Sequence, residues 1–172
     1  MTTNKTVADL LAAEIKDLYT FEMHLTKAVP TRAKGSRDSN LNTAFNGHFK
    51  ETGVQVTRLE QAAKLLGITT AGRIFTASEG WIKEGAEDFE QSEDEVHDDE
   101  LIGAGARVEH YKKIAGYTTA ITLAQSIGAR DVVSLLKNSL AEEVAASEEL
   151  LFITASLLNN APLGAMAEAV AV

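Results

Sequence analysis

The chain has 172 residues, 45% of them hydrophobic, which is enough for one domain with a sizeable core. A net charge of −9 and a pI of about 4.9 exclude the basic footprint that a nucleic-acid surface or an anionic membrane surface requires. Cysteine is absent, so disulfides, thiolate metal sites and cysteine nucleophiles are excluded too. No apolar run reaches the ~20 residues of a membrane span. Residues 1–5 are polar and lack a signal-peptide core, so a cytoplasmic location is expected.

A first helix is predicted over residues 7–34, capped by Thr6, with Asp9 in its first turn. Pro30 is expected to kink that helix or end it early. Residues 35–40 read as a turn. A second helix is predicted over residues 41–66 and stops at Gly67. The long connection after it carries a short helix at residues 75–89, with Trp81, and an acidic run at 90–100 that reads as a solvated turn. A third long helix is predicted over 101–127, stopping at Gly128, and a fourth over 131–158. Residues 159–172 read as a flexible, alanine-rich tail. Two short hairpin turns and one long connection define an all-α, ferritin-like four-helix bundle with an extra short helix between the second and third long helices. A single domain over 1–172 is expected, with the bundle at about 7–158.

The apolar seams of these helices are interrupted. The first runs Leu11, Ile15, Leu18, Glu22, Leu25, Val29, and the fourth runs Leu136, Leu140, Glu143, Ser147, Leu150. The second carries His48, with Glu51 three residues on and therefore on nearly the same face. In the third, the spacing of Ala106, His110, Ile114 and Tyr117 favours His110, whereas a weak internal repeat of the first helix favours Glu109. Either residue, or both, can face inward. A buried charge costs several kcal/mol unless it is paired or ligated, and divalent cations would neutralise several carboxylates at once.

These positions can share one layer. Glu22 precedes the first turn, near Ser36, by about 14 residues, and Glu51 comes about 15 after it. Around Gly128 the counts are about 19 for Glu109 and about 15 for Glu143, a mismatch of roughly one helical turn. Di-iron and di-manganese bundles use a Glu from each of two helices and Glu-x-x-His from the other two. Here the order on the second helix is reversed, and Ala146 stands three after Glu143. The site is thus rich in oxygen and suits Mn, Fe or Mg better than copper.

The chain resembles the YciE/YciF family of small bacterial ferritin-like stress proteins. The resemblance covers residues 7–160 and is carried by Glu14-Ile-Lys-Asp-Leu-Tyr19 with Glu22, by His48-Phe-Lys-Glu51-Thr52 with Gln55 and Arg58-Leu-Glu60, by Arg107-Val-Glu-His-Tyr111, and by Leu140-Ala-Glu-Glu143. It implies a rubrerythrin-like fold, ferroxidase-type chemistry and a dinuclear iron or manganese centre at Glu22, His48, Glu51, Glu109 and Glu143, with His110 close by. The family tends to an acidic residue where this chain has Ser147.

Two functions are compatible with such a layer. One is a stress-response oxidoreductase whose metal pair meets O2 or peroxide. The other is a non-catalytic structural or stress protein whose polar core layer binds no functional metal. A homodimer is expected in either case, formed through the first two helices or the Trp81 segment.

Overall fold

The computed structural model describes residues 6–70 and 98–160. They form α1 (Val7–Gly35), α2 (Ser39–Leu66), α3 (Asp98–Ser126) and α4 (Arg130–Asn160). The expected short helix at 75–89 and the tail at 161–172 lie outside the described residues.

Local polar contacts fix the first two helix starts. Thr6 and Asp9 form a reciprocal capping box at the head of α1: the Asp9 amide donates to Thr6 Oγ1 at 3.1 Å and the Thr6 amide to Asp9 Oδ2 at 2.9 Å. Asp38 Oδ1 accepts from the amides of Asn40 and Leu41, both at 2.9 Å, which starts α2 two residues earlier than periodicity places it. Helix α3 begins at Asp98, inside the acidic run expected to be a turn; acidic residues suit a helix N-terminus, where the dipole is positive. Pro30 neither ends α1 nor shortens it. The missing amide costs one helical hydrogen bond, but Val29 and Ala33 on either side stay buried in a cluster with Leu41 and Ala44. Gly67 (φ 68°) and Gly128 (φ 73°) close α2 and α3 in the left-handed region, where a Cβ would be strained.

Helix α1 packs on α2 and α3, and α4 packs on the same two, so α1 faces α4 and α2 faces α3 across the diagonals. The core is divided along the bundle axis. At one end Leu11, Ile15, Leu59, Tyr117, Ala124 and Leu136 belong to one apolar cluster. At the other, Leu25, Val29, Leu41, Phe45, Leu150 and Ile153 belong to a second. The first cluster joins the start of α1 and α4 to the end of α2 and α3, so α2 and α3 run parallel, as a long crossover requires. Between the clusters lies a buried polar slab that includes Glu22, His48, Thr52, Gln55, His110, Lys113, Ser139 and Glu143.

Candidate metal centre

Every helix supplies the slab from the inner face that elsewhere carries apolar residues. Glu22 from α1, His110 from α3 and Glu143 from α4 are fully buried, and His48 from α2 is 7% exposed. At their centre stands a residue that sequence reasoning missed, Lys113 of α3. Its Nζ lies 2.7 Å from Glu143 Oε1, 3.0 Å from Glu22 Oε2, and 3.3 Å from both His48 Nε2 and Gln55 Oε1. Tyr117 donates its hydroxyl to Glu22 Oε1 at 2.8 Å.

The expected α3 seam, with Ile114 after His110, is corrected here: Lys113 is buried and Ile114 is half-buried. Positions 110, 113 and 117 share one face by three-and-four spacing. Charge decides which neighbour turns in, because two carboxylates in a dry core demand a cation. That demand was the available signal: carboxylates on two facing seams call for a basic residue at a matching height.

The remaining expected positions separate. Glu109 is buried but turns toward α1, where Arg32 grips it with two hydrogen bonds of 2.5 and 2.6 Å. The ambiguity between Glu109 and His110 resolves spatially: both point inward, and only His110 reaches the central cluster. Glu51 is half-buried at the rim, where burial, Glu142 and then Glu143 raise its pKa. Glu142 pairs with Arg58 across α2 and α4 at 2.6 and 2.8 Å and accepts from Gln55 Nε2 at 3.1 Å. Ser147 is buried in the slab without adding a charge.

The electrostatics are set by this packing. Burial raises the Glu22 carboxyl to about 7, and the nearby Glu143 charge adds to the rise while Lys113 opposes it. Burial also works to raise Glu143, but Lys113 and the His110 hydrogen bond outweigh it and hold that carboxyl well below the usual range. Burial would lower Lys113; Glu143 and Glu22 more than compensate, and the amine stays charged. Burial, then Lys113 and His110, push His48 well below its ordinary value, so its ring is neutral.

His110 Nδ1 meets Glu143 Oε2 at 2.7 Å. A carboxylate there accepts from Nδ1–H and fixes the ring, and Nε2 on its far side is buried and without a hydrogen-bond partner. His48 Nδ1 is likewise buried and unpartnered. The two imidazoles lie 4.2 Å apart between ring centroids. His48, His110 and Glu143 each offer a ligand atom within 4.8 Å of the others, and the separation of His48 Nε2 from Glu143 Oε1 is 3.9 Å. One ion with bonds of about 2.0–2.2 Å can bridge such a gap. The donor set therefore fits one cation. Glu109 is matched by Arg32 instead.

Fold and core together define the class: a ferritin-like four-helix bundle with a buried layer of histidine, glutamate and lysine across its middle. The model for a domain of unknown function, DUF892, matches residues 6–161. The chain is 36% identical over 158 residues to Protein YciF of Escherichia coli K12, covering 91% of this chain and 95% of that one. The crystal structure of the E. coli stress protein YciF superposes with a TM-score of 0.87 at 30% identity, covering 91% of this chain and 99% of that one. YcfI from Rhodopseudomonas palustris superposes at 0.83 with 32% identity, covering 95% and 99%. The chain belongs to the DUF892 family and is YciF-like. Among the described residues, no helix is long and apolar enough to cross a membrane.

Proposed function

We propose that this protein is a stress-response bundle protein that takes up one divalent metal ion at His48, His110 and Glu143. The stress role is carried over from E. coli YciF. The metal reading rests on a single observation: His110 Nε2, a buried imidazole nitrogen without a partner, stands in a cluster with His48 and the Glu143 carboxylate that spans three helices. Leaving such a group unsatisfied in a dry core costs about 1–3 kcal/mol, and a ligated ion removes that cost.

Charge favours one ion over two. With Glu22 protonated, Lys113 and Glu143 cancel. A divalent ion in place of the ammonium, with Glu22 ionised, cancels again. A second divalent ion would leave the slab strongly positive, since Glu109 is committed to Arg32. Two nitrogens and one oxygen suit iron, manganese or zinc. Binding alone is proposed, without turnover of oxygen or peroxide.

Anaerobic titration of chelator-treated protein with Fe(II), Mn(II) and Zn(II) tests this. One ion per chain is expected, lost in His110→Ala and His48→Ala and retained in Glu51→Gln. Two ions per chain would restore the dinuclear reading. The rival reading, a metal-free polar layer that sets helix register, is favoured by one specific observation: Lys113 Nζ already lies within 3.3 Å of four polar atoms. Absence of binding in the titration selects it. Pairing of two chains is kept as an expectation, checked by light scattering.

A further inference from the structure

Lys113 belongs to two places at once. Its ammonium lies within 3.3 Å of His48 Nε2 and 2.7 Å of Glu143 Oε1, two of the atoms a metal would use. The same residue borders a cleft of about 380 Å³ between α1 and α3, lined also by Glu14, Asp17, Phe21, Gly116 and Thr119. Lys113 itself lines the cleft, and a lysine ammonium rides on a flexible four-carbon stem. Glu14 and Asp17 bring carboxylates to the cleft and Lys112 brings a positive charge. Gly116, one turn beyond Lys113, keeps the opening: a Cβ there would lie 2.9 Å from Leu18 Cδ2 and 3.1 Å from Glu14 Oε1.

Resting on the one-ion reading above, we propose that Lys113 is the resident cation of the site. Its ammonium holds the ligands while no metal is bound and is displaced into the α1–α3 cleft when a divalent ion enters. Ammonium and metal compete for the same lone pairs and the same carboxylate charge, and both cannot occupy the centre. The slab therefore always carries a cation, and metal uptake is opposed by whatever holds Lys113 in place. Affinity is set by this internal competitor as well as by the ligands, so the protein is tuned to bind only when free metal rises.

The test uses Zn(II), which is redox-silent, on the full chain. Wild-type protein is exposed to formaldehyde and a borohydride reductant with and without Zn(II), and methylation at Lys113 is read by peptide mass spectrometry. Protection without zinc and modification with it are expected. In parallel, Zn(II) affinity is measured for wild type and Lys113→Met, where removal of the competitor should tighten binding by at least roughly tenfold. Tight binding by Lys113→Met alone, with none by wild type, overturns displacement: Lys113 then holds the site closed and the metal-free layer stands. Equal affinities with Lys113 protected throughout overturn the inference but leave the one-ion reading standing. No binding by either protein removes the reading itself. If Lys113→Met does not fold, the methylation arm decides alone, since protection of Lys113 in zinc-loaded wild type is then the overturning result.

Discussion

Leu136 and Glu143 lie two turns apart on the inner face of α4, and both are fully buried. Leu136 sits in an apolar cluster with Leu11, Ile15 and Leu59, where stability comes from area removed from water and has no direction. Glu143 sits among a lysine and two histidines, where stability exists only if every charge finds its partner. The apolar ends tolerate adjustment; the polar slab is an all-or-none arrangement of four helices around one cation. This contrast explains why an interruption that looks costly on each seam separately is tolerated when all four seams share it.

Removing the cation breaks the contrast most severely. Lys113→Met leaves Glu143 buried without its main partner, and without metal it should lose about 3–5 kcal/mol in urea denaturation at neutral pH. A loss under about 1 kcal/mol would mean the slab is not held by this pair. Leu136→Ala probes the other region: a loss of about 3 kcal/mol is expected, and it should be the same at pH 5 and pH 8, since Tyr117, the ionisable residue of that cluster, is pushed by burial well above its ordinary value and does not titrate between them.

Protonation sharpens the comparison. Glu22 holds its proton more tightly folded than unfolded, with a pKa moving from 4.5 to about 7. Its contribution to stability is therefore complete below pH 4.5 and is lost as pH rises through about 7. Glu143, held low by Lys113 and His110 against the effect of burial, acts in the opposite sense: its contribution is present above the unfolded value of 4.5 and lost on acidification. Glu22→Gln keeps an acceptor for Tyr117 and removes the titration. Its stability relative to wild type should rise between pH 4.5 and 7, by up to about 3 kcal/mol, and be flat above. A difference that does not change with pH would show that Glu22 is ionised throughout.

The same contrast describes what was legible in the sequence. The apolar ends were: Leu11, Ile15, Leu25, Leu41, Phe45, Leu136 and Leu150 are buried where three-and-four spacing puts them. Glu22, His48 and Glu143 were legible too, because each interrupts a seam. Lys113 was not, because a lysine beside an isoleucine reads as the solvent side of a helix, and only the joint charge of other helices turns it inward. Arg32 was hidden for the same reason, its partner Glu109 being 77 residues away. Periodicity is a property of one helix; charge pairing is a property of four.

The rim of the slab supplies the mildest test. Arg58 and Glu142 make a bidentate pair with better hydrogen-bond geometry than Lys113 enjoys, at 2.6 and 2.8 Å, with Gln55 adding a third contact to the carboxylate. Geometry alone would rank this pair with the buried one. Solvent reaches it, however: the side chains are 19% and 26% exposed, against 0% for both Lys113 and Glu143. Water screens the attraction and solvates whichever partner is left behind. Arg58→Met should therefore cost about 1 kcal/mol or less, and the cost should shrink as salt is added. A loss as large as that of Lys113→Met would show that burial does not separate the two pairs, and that the slab extends to the surface through Gln55, whose amide joins Lys113 to Glu142.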